Sequence, residues 1–356
     1  MADKPDIRET STEILLQWLA DRGEKAFRLG QINQWLWVKG VHSFDDMTSL
    51  SKTLRESLKR DFSFNTIVSE LELQSRDATV KTAFRLVDRH LIEGVLILSA
   101  DRVTACISTQ VGCAMNCEFC ATGAMGFIRN LSVGEIFDQF IILNRRSENY
   151  YQRSLSNVVV MGMGEPFLNF TNVMFALSKI TDPEGINFSP SRITISTVGI
   201  TEGIRAFADS NTKINLSLSL HAANENLRIG MIPAAKKHKM KQLRDAIRYY
   251  HQKTGMRITY EYILFGGLND TQEHARELAE FCKISPCKIN IIEYNSTGIG
   301  RFQASNPAHR DAFVAFLESK NLIVNIRRSK GGDIDAACGQ LAGKVPKMLQ
   351  FTRKPG

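Results

Sequence analysis

The chain has 356 residues, 43% of them hydrophobic and 23% charged, ordinary proportions for a globular protein with a sizeable core. No apolar run reaches the roughly 18 residues of a membrane-spanning helix, and seven cysteines, an odd number without a regular framework, argue against a secreted disulfide scaffold. The formal net charge of +8 suits a polyanionic partner.

The start of the chain, Met1-Ala-Asp-Lys-Pro-Asp6, is polar and has no apolar signal segment, so a cytoplasmic protein is expected. Residues 1–72 carry 10 Lys and Arg against 12 Asp and Glu, and the other 284 residues carry 35 against 25. The basic excess therefore lies in the body of the chain. Residues 1–72 read as a small helical domain. Thr12–Leu19 is a short apolar helix, Gly30–Val38 places Ile32, Trp35 and Leu36 on one side, and Ser51–Leu58 continues the pattern. The aromatics here read as core, not as base-stacking platforms.

Residues 73–98 are expected to be a connecting β-segment. The strand-like runs are Ile67–Leu73, Thr82–Val87 and Leu91–Leu98, and charged residues separate them. From residue 99 to 333 strands and helices alternate. Strands are predicted at Thr104–Gln110, Asn157–Met163, Arg192–Thr197, Lys213–Leu220, Arg257–Leu264 and Lys288–Tyr294. Ser132-Val-Gly-Glu135 is a capping box that opens a helix over Glu135–Arg146. Asp270-Thr-Gln-Glu273 opens another through Phe281. Lys241–Tyr250 has Leu243, Ile247 and Tyr250 at helical spacing. Six strand–helix units imply parallel strands, with the chemistry at the carboxyl ends of the strands. A helix, Arg310–Lys320, and a strand, Leu322–Arg327, precede a tail over 334–356.

Just after the first of those strands comes Cys113-Ala-Met-Asn-Cys117-Glu-Phe-Cys120. Three thiolates on one tight loop can hold three irons of a cubane cluster and leave the fourth iron open. They could also be three-quarters of a structural zinc site, or buried thiols. Zinc sites usually add a second cysteine pair about 12–20 residues on, whereas the next cysteine is Cys282. Cys282 and Cys287 read as packing residues.

Several segments resemble one family. They are Phe27-Arg-Leu-Gly-Gln-Ile32, Cys106-Ile-Ser-Thr-Gln-Val-Gly-Cys113, Met161-Gly-Met-Gly-Glu-Pro166, Ser217-Leu-Ser-Leu-His221 and Gly332-Asp-Ile-Asp-Ala-Ala-Cys-Gly-Gln-Leu341. With the cysteine loop they are similar to the RlmN/Cfr family of radical S-adenosylmethionine (SAM) RNA methyltransferases. The resemblance implies an α/β fold, a partial (β/α)6 TIM-like barrel with a small N-terminal helical domain. It implies a [4Fe–4S] cluster on Cys113, Cys117 and Cys120, with SAM on its open iron. Gly164 and Glu165 would meet the amino end of SAM, and Ser196, Ser219, Leu220, His221 and Asn295 would complete the SAM pocket. Cys338 would be the methyl-accepting cysteine, Cys106 its partner thiol and Glu93 an acid/base. Taken alone, Cys106 reads as a packing residue in a strand, His221 as a structural histidine and Glu165 as a turn residue.

The chemistry implied by the resemblance uses SAM twice. Cys338 first takes a methyl group. A radical made from a second SAM then removes hydrogen from that S-methyl, and the carbon adds to adenine. Cys106 finally attacks the sulfur, releasing the product and leaving a transient Cys106–Cys338 disulfide. Glu93 or Cys106 would remove the ring proton. The substrates implied are an adenosine of 23S rRNA and, for dual-specificity members, the adenosine 3′ of the tRNA anticodon. Ile292-Glu-Tyr-Asn295 replaces a Pro-rich segment of many RlmN members, and Ala121-Thr-Gly123 is shared with the Cfr side. Carbon 2 and carbon 8 of adenine therefore both stand as target positions. A monomer served by flavodoxin or ferredoxin is expected. The expected phosphate contacts are Lys236, Lys237, Lys239, Arg327, Arg328 and Lys330.

Overall fold

Three helices precede the first strand: α1 (Thr12–Ala20), α2 (Phe27–Asn33) and α3 (Lys52–Asp61). The computed structural model describes residues 4–299 and 302–342; the end of the expected tail, 343–356, lies outside the described residues. Ser11 and Ser51 cap α1 and α3 by accepting from the backbone of Ile14 and Leu54, which satisfies amides a helix start leaves orphaned. Helix α2 runs on as a π-helical turn, Gln34–Val38. That turn buries Trp35 and Trp37, so these aromatics are core, as expected.

The strands follow as β1 (Val68–Gln74), β2 (Val80–Arg85), β3 (Leu91–Ser99), β4 (Arg102–Cys106), β5 (Gln110–Gly112), then helix α4 (Ala121–Ala124) and β6 (Phe127–Asn130). The expected boundary at residue 72 falls inside β1. Beyond β6 the alternation is regular: α5 (Val133–Tyr151), β7 (Asn157–Val160), α6 (Phe170–Thr181), β8 (Ile193–Thr197), α7 (Thr201–Asp209), β9 (Asn215–Ser219), α8 (Glu225–Met231), α9 (Met240–Thr254), β10 (Ile258–Leu264), α10 (Gln272–Cys282), β11 (Cys287–Glu293), α11 (Pro307–Ser319) and β12 (Val324–Arg327). One ten-stranded sheet has the order β1-β2-β3-β4-β7-β8-β9-β10-β11-β12, and β5 and β6 form a separate hairpin. From β1 to β4 the pairing is antiparallel. From β4 to β12 every pairing is parallel. Six strand–helix units and a seventh parallel strand thus make the expected partial barrel, extended at one edge by a three-stranded antiparallel ribbon.

Burial is greatest towards the middle of the parallel strands: all seven residues of β10 are buried, whereas β12 at the sheet edge has Asn325 and Ile326 exposed. The capping box of α5 is present, with Ser132 and Glu135 each accepting from the other's backbone amide. At α10 the cap is Thr271, not Asp270; the Asp270 carboxylate accepts from Gly267 N and Ser305 Oγ instead.

A buried ion network fastens the N-terminal domain to the sheet. Arg8 donates to Asp138 of α5 at 2.7 Å and lies 3.4 Å from Asp6, all three side chains being at most 1% exposed. His42 reaches the same Asp138 oxygen at 3.0 Å. The network depends on Gly134, where a Cβ would stand 2.5 Å from the guanidinium carbon of Arg8.

Candidate active site

The strand expected over Thr104–Gln110 breaks after Cys106, which ends β4. Ile107–Thr109 step off the sheet edge while still bonded to its neighbours: Ile107 N donates to Val159 O, and Thr109 N donates to Met163 O. The chain then enters the β5–β6 hairpin, and the three-cysteine loop with α4 fills the space between the two strands. Gln110 Nε2 to Asn130 Oδ1, 2.8 Å, and Cys113 N to Gly126 O, 2.9 Å, close the base of the hairpin. Asn116 adopts φ +49° inside the loop, a left-handed conformation that Asn tolerates better than most residues. The loop thus lies beside the carboxyl ends of the parallel strands.

A cavity of about 580 Å³ opens there. Its walls include Cys113, Cys117 and Cys120 of the loop, Cys106 of β4, Gly164 and Glu165 after β7, Ser196 of β8, Ser219 and His221 at the end of β9, and Cys338 from the tail. Ser196 Oγ and Ser219 Oγ lie 3.3 Å apart. Gly164 is at φ +103°, and a Cβ there would meet the backbone nitrogen of Gln110 at 2.8 Å. Only glycine lets this wall approach β5 so closely.

Burial sets the electrostatics. It pushes the Cys113 thiol up to about 12 and Cys117 well above its ordinary value, and each is raised further by neighbouring thiols. Cys120 is raised as well, again chiefly by burial. Burial lifts Glu165 to about 7, against the pull of Val198 N and Phe167 N, which donate to its two oxygens. His221 is depressed to about 3 by burial and by nearby Arg228. Its Nδ1 accepts from Ile263 N at 3.1 Å, which makes Nε2–H the protonated position of a neutral ring.

The three cysteines suit a cubane. Among the described residues no three His, Cys, Asp or Glu side chains are placed to hold a single metal ion. A cubane asks for thiolates around a volume, since its irons are separate corners. Three mutually repelling buried thiols are costly as thiolates until iron supplies positive charge. Phe119 packs edge-on to His221 and against Phe265 and Phe302, a dry aromatic backing of the kind that tunes metal sites.

The tail completes the wall. Asp333 accepts from Ser75 Oγ and Arg76 N in the β1–β2 turn, at 2.5 and 3.2 Å, and Gly331 N donates to Asp77 at 2.9 Å. Beyond Cys338, Gly339 O accepts from Ala121 N at 2.7 Å, and Leu341 O accepts from Thr122 Oγ1 at 2.5 Å. Residues 331–342 form a strap across the cavity. One of its fastenings is the helix that follows the last cysteine of the loop.

A family model described as the ribosomal RNA large subunit methyltransferase N-terminal domain matches residues 6–63, and the radical SAM superfamily model matches residues 107–282. Over 342 residues, 96% of this chain and 99% of the relative, the sequence is 46% identical to a probable dual-specificity RNA methyltransferase RlmN of Flavobacterium psychrophilum. The chain belongs to the RlmN family. A probable dual-specificity RNA methyltransferase RlmN of Bacillus subtilis is 42% identical over 96% of this chain and 94% of its own. A crystal structure of a radical SAM methyltransferase from Sphaerobacter thermophilus superposes with a TM-score of 0.89 at 38% identity, covering 96% of this chain and 100% of that one.

Ten of the thirteen site residues expected from the RlmN resemblance line the one cavity. The other three do not. Leu220 is fully buried. Asn295 donates to Ser329 Oγ at 2.7 Å. Glu93, 1% exposed in β3, lies 3.4 Å from Lys81 and accepts from Ala342 N at 2.9 Å, so its carboxylate grips the strap. Arg327, one of the residues expected to meet phosphate, lines the cavity with Arg328 and Lys330, 3.7 Å from Glu261. Arg228 and Glu261 went unnoticed in the sequence. Arg228 is 1% exposed and bonds the carbonyls of Leu220 and Val198. Glu261 accepts from Ser217 Oγ and Asn290 Nδ2, both at 2.9 Å. The one available signal was a charge in the middle of a buried strand, Tyr260-Glu261-Tyr262 within β10.

Proposed function

We propose that the chain is a radical SAM RNA methyltransferase that methylates carbon 2 of an adenosine in 23S rRNA and of the adenosine 3′ of the tRNA anticodon. The observation that carries this reading is the meeting of Cys106, Cys338 and the three loop cysteines in one cavity, although 232 residues separate the first pair. A plain iron–sulfur carrier or a zinc-held RNA-binding module has no need of two further thiols beside the metal loop.

Cys113, Cys117 and Cys120 hold a [4Fe–4S] cluster, and Gly164, Glu165, Ser196, Ser219 and His221 form the SAM wall. When bound, the cluster and SAM together supply the methyl group and the radical that activates it. Cys338 takes the methyl group on its sulfur and presents that carbon to the base. The carbon, having given up one hydrogen atom to that radical, bonds to adenine, so the RNA is held covalently through Cys338. The adduct returns one electron to the redox partner, and Glu93 or Cys106 accepts the ring proton. The Cys106 thiolate attacks the Cys338 sulfur; the carbon–sulfur bond breaks with its electron pair on the carbon, which takes up a proton to complete the methyl group, and the two cysteines are left as a disulfide, which an external thiol reduces. Membership of the RlmN family favours carbon 2. A flavodoxin or ferredoxin supplies the electrons, and the enzyme acts as a cytoplasmic monomer.

The test is Cys106→Ala. The variant should form the adduct and fail to release it, giving an RNA–protein species that survives denaturation and disappears with ribonuclease. Normal turnover with no trapped RNA overturns the two-thiol mechanism, and a carbon 8 product in mass mapping of the modified adenosine overturns the position.

A further inference from the structure

We infer that Lys81, in β2, is a positioning residue for Cys338: its ammonium fixes the bend of the strap that carries the cysteine into the cavity. This rests on the reading of Cys338 as the methyl-accepting residue.

A lysine that is 6% exposed is expensive to bury unless its charge and its donors are used. Among the described residues the Lys81 ammonium has two partners. It lies 3.4 Å from Glu93 Oε1 and donates to the carbonyl of Asp335 at 3.1 Å. The second contact is the informative one. Asp335 stands three residues before Cys338 and adopts φ +52°. Aspartate tolerates that left-handed conformation better than most residues, at a cost that the bond from Lys81 to its carbonyl helps to offset.

The other fastenings lie on either side. Ser75, Arg76 and Asp77 hold the beginning of the strap, at Gly331 and Asp333. Ala121, Thr122 and Glu93 hold its end, at Gly339, Leu341 and Ala342. In between, the bond of Ala336 N to Gly331 O is internal to the strap. Ala337 N donates to Gln340 Oε1, and the same Gln340 amide donates to Ser296 O at 2.9 Å, which anchors the segment just after Cys338 to the loop beyond β11. Lys81 ties the segment before Cys338 to the sheet. Glu93 unites the two roles, since one oxygen faces Lys81 and the other accepts from Ala342 N. The pair therefore spans the strap from Asp335 to Ala342 with Cys338 between.

The test uses cluster-loaded protein and hydrogen exchange read by mass spectrometry. In Lys81→Met the peptide covering 331–342 should exchange about tenfold faster, while β1–β3 and the iron content stay as in the wild type. The kcat for RNA methylation should fall about 10–100-fold with KM for RNA within about twofold, the signature of a misplaced reacting group. Lys81→Arg, which keeps the cation, should recover part of both losses. Lys81→Met could leave Glu93 buried without its cation and cost the fold itself. Lys81→Met/Glu93→Gln removes that charge, and its exchange is the readout if the single variant does not fold. Unchanged exchange at 331–342 overturns the inference, as does a rise shared equally by β1–β3. A strap that loosens as described in a protein whose wild type never methylates Cys338 leaves the positioning intact and sinks the methyltransferase reading.

Discussion

Arg327 places a cation near Cys338 and Cys106, the two thiols of the proposed mechanism. Its guanidinium is 3.8 Å from Met161 Sδ and 3.7 Å from Glu261 Oε2. Cys338 first, and Glu261 and Cys106 as well, raise its pKa. The reciprocal effect reaches Cys106. Burial pushes that thiol up to about 12, Cys338 adds to the rise, and Arg327 opposes it. Removing the cation takes away stabilisation of the thiolate, so the thiol pKa rises further and the thiolate forms at higher pH. Arg327→Met should therefore shift the pH profile of RNA release from the Cys338 adduct upward, with slower release near neutrality; superimposable profiles would show that Arg327 does not serve Cys106. Gly164 offers a second test at this scale. Gly164→Ala combines a strained backbone with a collision against Gln110 N. It should cost about 1–3 kcal/mol in urea denaturation and reduce the iron taken up on reconstitution, because Gln110 braces the hairpin that carries the cysteine loop.

Helices and strands were legible where a local cause acts. The Ser132–Glu135 box and the apolar stripe of α9 are local, and both stand where the residues point. The alternation of strands and helices also placed the chemistry at strand ends, where ten of the residues named by the RlmN resemblance line one cavity. What the residues could not reveal is contact across long separations. Nothing near Asp333 announces Ser75, 258 positions away, and nothing in Leu91-Ile-Glu93 announces the strap. Likewise the break after Cys106 exchanges one sheet for another without a change in hydrophobic pattern. Leu220 and Asn295 follow their strands as expected but turn away from the cavity. The β1–β2 turn gives an acid-sensitive element. Asp77 is partly buried at some cost, yet hydrogen bonds from Thr79 and Gly331 hold its carboxyl down at about 2, from 3.8. A depressed carboxyl stabilises the fold above its unfolded value and ceases to do so as pH falls through its folded value. The stability difference between wild type and Asp77→Ala should thus be full above pH 3.8 and shrink towards pH about 2; a difference independent of pH would assign the effect to packing instead.

The N-terminal domain and the sheet share one buried ion network, and this fixes how the two are coupled. Arg8→Met leaves Asp138 and Asp6 buried without their cation, a loss of about 3–5 kcal/mol for a broken buried pair. Urea denaturation followed by tryptophan fluorescence should show it, since all three tryptophans, Trp18, Trp35 and Trp37, belong to that domain. The coupled residues at the cavity mouth carry another prediction. Arg102, Arg328 and Lys330 line the same opening. Neutralising all three should weaken RNA binding and flatten the log–log dependence on salt by about 2–3. An unchanged slope would mark them as solvated charges without a phosphate to meet.

The strap has a consequence for how the protein is made. The ribosome delivers residues 331–342 after every strand of the large sheet, and the bonds of the strap to α4 and the β1–β2 turn reach back 218 to 258 positions. Domains take shape from the N-terminal end during synthesis, and contacts of such separation form late. A nascent chain that has emerged as far as Arg327 already holds every described strand and the three loop cysteines, with the cavity open on the side the strap will cover. The segment that carries Cys338 is therefore the last part of the cavity wall to be laid down.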